Sequence, residues 1–208
     1  MNLLVVAATE FEIKPFIENN KSADVLITGV GIPATVFHLT KQLIQKEYDL
    51  VIQAGIAGSF TDQLEMGSVV VIKADTFGDI GIDEHENFKT LFETGFGNEN
   101  DFPFTDGWLK NNHEYFAHSS LPVANAITVN KITDDKIQIK KMIEKFTPDI
   151  ESMEGAGFHY VCLQQKIKFL QLRSISNVVG ERDKTKWKLK EAIMTLNVEL
   201  KKLIKNIM

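Results

Sequence analysis

Cysteine is nearly missing from this sequence: Cys162 is the single one in 208 residues, which excludes an intramolecular disulfide and suits a reducing cytoplasm. An excess of either charge is missing too. The 23 basic side chains stand against 28 acidic ones, for a net charge of -5, so there is no broad cationic footprint for nucleic acid or an anionic membrane. Long apolar runs are likewise absent. The opening MNLLVVAATEFEIKPF has no cationic flank, and its apolar run stops at Ala8 with acids close behind. It is expected to form a first β-strand, not a signal peptide or a membrane span. No GxSxG elbow or Walker A loop is present. His113 with His118, and His159 with Cys162, lack a second ligand pair at zinc spacing, so no metal is expected. Cys162 falls in a helical pattern, where an inert buried thiol is the default. These exclusions point to a cytoplasmic protein whose partners are small molecules.

With 44% hydrophobic residues, the chain is rich enough for the core of one sizeable domain. No repeat, low-complexity tract or linker divides it. Short β-branched runs recur at Leu3 to Ala7, Val25 to Thr28, Leu50 to Ala54, Val69 to Ile72 and Phe169 to Ile175. Strands apolar on both faces indicate a covered, largely parallel sheet. Between them lie helical patterns. Val36, Leu39 and Leu43 follow Pro33; Met153, Ala156, Gly157, Tyr160 and Val161 form a second set; Leu189, Ile193, Leu196, Leu200, Leu203 and Ile207 form the last. The stretch from Phe77 to Trp108 reads as a long loop insertion. Phe92, Phe96, Phe102 and Phe104 are too many to leave in water, and either cap the core or contribute to a subunit contact or pocket lid.

Two small-residue turns follow strands, TGVGIPA at Thr28 to Ala34 and AGIAGSF at Ala54 to Phe60. The first superficially matches a dinucleotide fingerprint. It comes on the second strand, however, and Asp49 stands before a strand and not at its carboxyl end. A turn that brings backbone amides close to some ligand is the better reading, so Gly31, Ala57 and Gly58 are candidate pocket residues. Glu10 and Glu12 follow the first strand, and ESMEGAG sets Glu154 at or near a helix start. Such acids often only complement the helix dipole. The same dipole favours an acceptor-only carboxylate suited to gripping paired hydroxyls such as those of a ribose. Asn177, in RSISNVVGERD, stands where a buried strand is expected to end, the edge at which α/β proteins bind ligands. Its plainer reading is a cap on the next turn.

Taken together, AATEFE, TGVGIPA, AGIAGS, ESMEGAG and RSISNVVGERD resemble the purine nucleoside phosphorylase and nucleosidase superfamily, in order and approximate spacing, over nearly the whole chain. Within it, SISNVVGERDKTKW most resembles the branch of the futalosine hydrolases. The resemblance implies a single-domain α/β three-layer sandwich with a twisted mixed central sheet flanked by helices, usually in a homo-oligomer, with no cofactor. It implies a water-activating role for Glu12, with Glu10 a helper or structural residue, and a ribose-binding role for Glu154 with Met153. The base would meet Asn177, Ser176, Thr128 and Val129. Adenine-specific nucleosidases carry an aspartate where this chain has Asn177. An amide can donate to O6 of hypoxanthine while its oxygen faces a protonated N7, so a 6-oxopurine fits better. The 5′ aromatic carboxylate of futalosine calls for a cation, for which Arg182 and His85 are the candidates, although an Arg182–Asp183 pair is more often structural. The rivals are a methylthioadenosine or S-adenosylhomocysteine nucleosidase, a phosphorolytic relative, a non-catalytic nucleoside-binding module and a dinucleotide oxidoreductase.

Overall fold

All five apolar runs become strands in the computed structural model, which describes residues 1–20, 22–85, 87–112 and 119–208. In chain order the elements are β1 (Leu3–Ala7), α1 (Glu10–Ile17), β2 (Asp24–Ile27), α2 (Ile32–Gln45), β3 (Leu50–Ser59), β4 (Val69–Phe77), β5 (Gly81–Glu84), β6 (Asn87–Thr90), β7 (Leu109–Lys110), β8 (Val123–Thr128), α3 (Lys136–Phe146), β9 (Ile150–Ser152), α4 (Gly155–Gln164), β10 (Phe169–Val178) and α5 (Leu189–Ile207). The main sheet runs β10-β4-β8-β9-β3-β1-β2, with β7 beside β4. It is mixed. Five neighbouring pairs are parallel, namely β1/β2, β1/β3, β3/β10, β4/β8 and β8/β9, whereas β4/β10, β3/β9 and β4/β7 are antiparallel.

Its shape follows from β3, which is long enough to serve three partners. The Leu50 to Gln53 half pairs with β1, Gly58 and Ser59 pair with β9, and the opposite edge pairs with β10. Because β10 also pairs with β4, the strands β3, β10, β4, β8 and β9 close on one another, leaving β1 and β2 as an open wing. Small and branched side chains fill the closed part: Ala57, Val70, Ile72, Ala124, Ala126, Ile150 and Ile175. Helices cover the wing on both faces. On one face, Ile13 and Phe16 of α1 and Leu196, Leu200 and Leu203 of α5 pack against Val5, Ile52 and Leu172. On the other, Leu39 and Leu43 of α2 and Phe158 and Val161 of α4 pack against Leu4, Val6 and Val51. Each such buried side chain contributes about 1.5–3 kcal/mol relative to exposure.

The segment from Phe77 to Trp108 is not structureless, because β5 and β6 form an antiparallel hairpin within it. Its alternation was hidden by short strands of exposed, polar character. Phe104 packs edge-on against Phe92 and Phe77, and Tyr160 of α4 lies beside them. These rings line a cavity of 780 Å³. Phe96 and Phe102 stay exposed.

Candidate active site

Glu12 sits in the first turn of α1, just past the carboxyl end of β1, and the local sequence holds it there. Its Oε2 accepts from the backbone N–H (3.0 Å) and the hydroxyl (2.9 Å) of Thr9, while Oε1 accepts from the Ile56 N–H at 3.1 Å across the sheet edge. Pro15 interrupts α1, and Ile13 leaves helical geometry, as a mid-helix proline demands. The helical bond that would join the Phe16 N–H to the Glu12 carbonyl is replaced by Asn197 of α5. Asn197 Oδ1 accepts from the Phe16 N–H at 2.9 Å, and Nδ2 donates to the Glu12 carbonyl at 2.8 Å. A buried amide therefore anchors the backbone of Glu12 itself. Burial pushes the Glu12 carboxyl above its usual range. The Arg173 guanidinium, the Ile56 N–H and Thr9 pull it back, and nearby Glu154 adds to the rise.

Arg173 is a functional candidate that the motifs do not reveal. It lies inside β10 and is almost fully buried. Its Nη2 donates to Gln53 Oε1 at 2.9 Å and its Nη1 to the Ile56 carbonyl at 3.3 Å, and Nη1 also pairs with Glu154 Oε2 at 3.4 Å. Room for the guanidinium comes from Gly55, where a Cβ would collide with Arg173 Nη1 and stand 3.1 Å from Glu12 Oε1. Glu154 is the N-cap residue of α4, and its Oε1 accepts from the Gly31 N–H at 3.1 Å. Gly31 occupies the turn before α2 with φ of 94°, where glycine is favoured. The two turns read from sequence thus meet the two glutamates: Ile56 of the second binds Glu12, and Gly31 of the first binds Glu154.

Asn177 lies one strand position beyond a bulge, where β10 pairs Ile175 with Ala57 and Asn177 with Gly58. Its Oδ1 accepts from the Ser176 hydroxyl at 2.8 Å and its Nδ2 donates to the Val178 carbonyl at 2.9 Å. One amide N–H and one lone pair remain for a ligand. The Ala57 carbonyl, 3.2 Å from the Ser176 hydroxyl, is the alternative acceptor for that same proton. Met153 is half-buried between β9 and α4. Thr128 and Val129 are buried, and the Thr128 hydroxyl is already engaged, donating to Asp75 Oδ1 at 2.9 Å and accepting from the Ala156 N–H at 2.7 Å. Arg182 is exposed, and its charge reaches Glu151. The expected Arg182–Asp183 pairing is not formed: Asp183 instead accepts from the Thr185 N–H and hydroxyl, capping a short 3-10 turn. His85 stands in the β5–β6 turn with φ of 51°. Glu10 is exposed at the start of α1. His113 and His118 lie outside the described residues.

Beneath the α4 N-terminus is a buried polar layer that motif reading did not find. Burial raises Asp75 to about 7, although Thr128, Arg173 and Gln171 favour its charged form. A Cβ on Gly155 would collide with Asp75 and Gln171. Burial likewise lowers His159 to about 4, with its Nδ1 against the Leu109 carbonyl at 2.9 Å. Among the described residues, no group of three or more His, Cys, Asp or Glu side chains is placed to hold a metal ion.

A family model described as the phosphorylase superfamily matches residues 4–207. The chain belongs to the phosphorylase superfamily. Among curated members, a futalosine hydrolase of Streptomyces coelicolor is 30% identical over 86% of this chain and 77% of its own. One from Thermus thermophilus is 25% identical over 86% and 80%. A 5′-methylthioadenosine/S-adenosylhomocysteine nucleosidase of Shewanella sediminis is 27% identical over 74% and 68%. The superfamily fold is shared with the solved futalosine hydrolase of Helicobacter pylori, at a TM-score of 0.82 and 17% identity over 99% of this chain and 97% of that one.

Proposed function

We propose that this member of the superfamily is an N-glycosyl hydrolase that uses water to release hypoxanthine from futalosine, leaving dehypoxanthine futalosine for menaquinone biosynthesis. The observation that carries this reading is Asn177 at the bulged end of β10, with a free amide N–H and lone pair, on the same strand as Arg173 of the Glu12–Arg173–Glu154 cluster. The curated relatives named futalosine hydrolase support it.

Breaking the C1′–N9 bond builds positive charge on the ribose and negative charge on the base. Glu12, held by Thr9 and Ile56, takes a proton from the attacking water. Glu154 grips the ribose hydroxyls and offsets the sugar's positive charge, with Met153 alongside and Arg173 and Gly31 fixing the carboxylate. Asn177, steadied by Ser176, donates to O6. Ala57 and Gly58 are assigned to the floor, and Thr128 and Val129 to the wall beside the base. Water is a better nucleophile than phosphate here, because the glycine turns carry no arginine and the Gly31 N–H is occupied by Glu154. Arg182 and His85 are assigned to the 5′ carboxylate. Removing the Arg182 charge should raise KM for futalosine and leave KM for inosine unchanged.

The test is incubation of the purified protein with futalosine, inosine, methylthioadenosine and S-adenosylhomocysteine, with and without phosphate, and chromatography of the products. Hypoxanthine from futalosine, independent of phosphate, is expected. Adenine release would instead favour the methylthioadenosine reading. The protein is further proposed to work in the cytoplasm as a homo-oligomer. Among the described residues, no helix is long and apolar enough to cross a membrane.

A further inference from the structure

An amide at position 177 leaves one step without an agent, because it cannot give the departing purine a proton. One carboxyl near the base floor has no part in the mechanism so far. Glu151, in β9, pairs with Gly58 of β3 on one side and Ile127 of β8 on the other. Its side chain points to the same spot as that of Asn177. A Cβ on Gly58 would meet Val179 Cγ2 at 3.1 Å, Asn177 Nδ2 at 3.3 Å and Glu151 Cγ at 3.5 Å. The missing side chain of Gly58 is what allows the acid and the amide to converge.

Glu151 is only 4% exposed, and among the described residues its Oε2 accepts no hydrogen bond. A buried carboxyl oxygen without a donor is costly unless it is neutral or awaits a ligand. We propose that Glu151 is the general acid of the reaction, delivering a proton to N7 of the leaving purine beside Asn177. This rests on the nucleosidase reading above.

The balance is complete. The C1′–N9 electron pair leaves with the purine, the Glu151 proton moves to N7, the water oxygen bonds to C1′, and the proton of that water passes to Glu12. Solvent then reprotonates Glu151 and relieves Glu12. Burial raises the Glu151 carboxyl to about 7 against the pull of Arg182, so much of it holds a proton at neutral pH. Arg182, on the turn after β10, is the charged group that faces it. The neighbours from β3, β8, β10 and the residue after it are Gly58, Ile127, Asn177 and Val179, all uncharged.

The test compares wild type, Glu151→Gln and Glu12→Gln on futalosine and on its N7-methylated form, whose purine already carries the positive charge and departs neutral. Glu151→Gln should lose about 10²-fold or more of kcat on futalosine with little change in KM, while keeping most of the wild-type rate on the methylated substrate. Glu12→Gln should lose both. Wild-type kcat should fall as pH rises through about 7, and the variant should lack that limb. Equal losses on both substrates, or an alkaline limb that survives in Glu151→Gln, would overturn the proposal, since either marks a residue that merely shapes the pocket. Thermal unfolding of the variant should match or exceed wild type, which separates lost chemistry from lost folding. Wild-type protein that releases no hypoxanthine from futalosine would refute the parent reading first, and this inference with it.

Discussion

In its proposed role Glu12 must be ionised to take a proton from water, yet it is buried next to another carboxylate. Arg173, the Ile56 N–H and Thr9 offset that burial only in part, leaving the carboxyl above its ordinary range. The sign of the pH dependence follows. Activity requires the deprotonated form, so kcat should fall as pH drops through the raised Glu12 value, while Glu151 governs the alkaline side. Replacing Glu12 with Gln should cost about 10²–10⁴ in kcat, measured at saturating substrate, and remove the acidic limb. Gly55 offers an independent probe of the same cluster. Adding one methyl there collides with the Arg173 guanidinium and crowds Glu12. The Gly55→Ala variant should therefore displace Arg173 from Glu154 and Gln53. Breaking a buried ion pair costs roughly 3–5 kcal/mol, so a lower melting temperature is expected along with reduced kcat/KM. A melting temperature equal to wild type would show that Arg173 has another place to go.

At the scale of elements, the site depends on a flaw in α1. Pro15 breaks the helix within a turn of Glu12, and Asn197 of α5 repairs it by bonding the Phe16 N–H and the Glu12 carbonyl. Substituting Leu for Asn197 leaves both buried backbone groups unpaired, at roughly 1–3 kcal/mol each. Chemical denaturation should show that loss, and kcat should drop more than KM rises, because Glu12 shifts relative to its water. This repair also shows what could be read beforehand. Strands such as Leu3 to Ala7 are apolar throughout, and α5 carries a clean stripe, so both are visible locally. The helix α1 is short and broken by proline, while α3 carries an apolar stripe of Ile139, Met142 and Phe146 that is only half-buried and that the motifs pass over. β9 is three residues long, and β8 alternates weakly. Motifs name Glu12, Glu154 and Asn177. Arg173 could have been suspected as a charge within the apolar run FLQLRSIS, and Glu151 as the spare acid of ESMEG. What they touch depends on contacts between residues far apart in sequence, such as Gly58 with Glu151.

The whole molecule leaves one surface unexplained by its own fold. Helix α2 buries Leu39 and Leu43 inward, yet Phe37 and Ile44 face solvent at 63% and 74% exposure. With Ile32, Pro33 and Val36 they line an open apolar groove, and Phe11 and Val30, near the two glutamate-binding turns, are also exposed. A monomer seldom leaves so much apolar surface together. A second copy of the chain is the occupant that the homo-oligomer reading requires. Light scattering should then report a dimer or larger species at micromolar concentration, and Phe37→Lys should shift it toward monomer. The consequence reaches the chemistry, because α2 begins at the turn where the Gly31 N–H holds Glu154. Dissociation frees that helix from its neighbour, so specific activity should decline as the variant, or dilute wild type, comes apart. Wild type that remains monomeric with full activity would remove the surface from the functional account and leave the groove as an uncommon feature of a self-sufficient subunit.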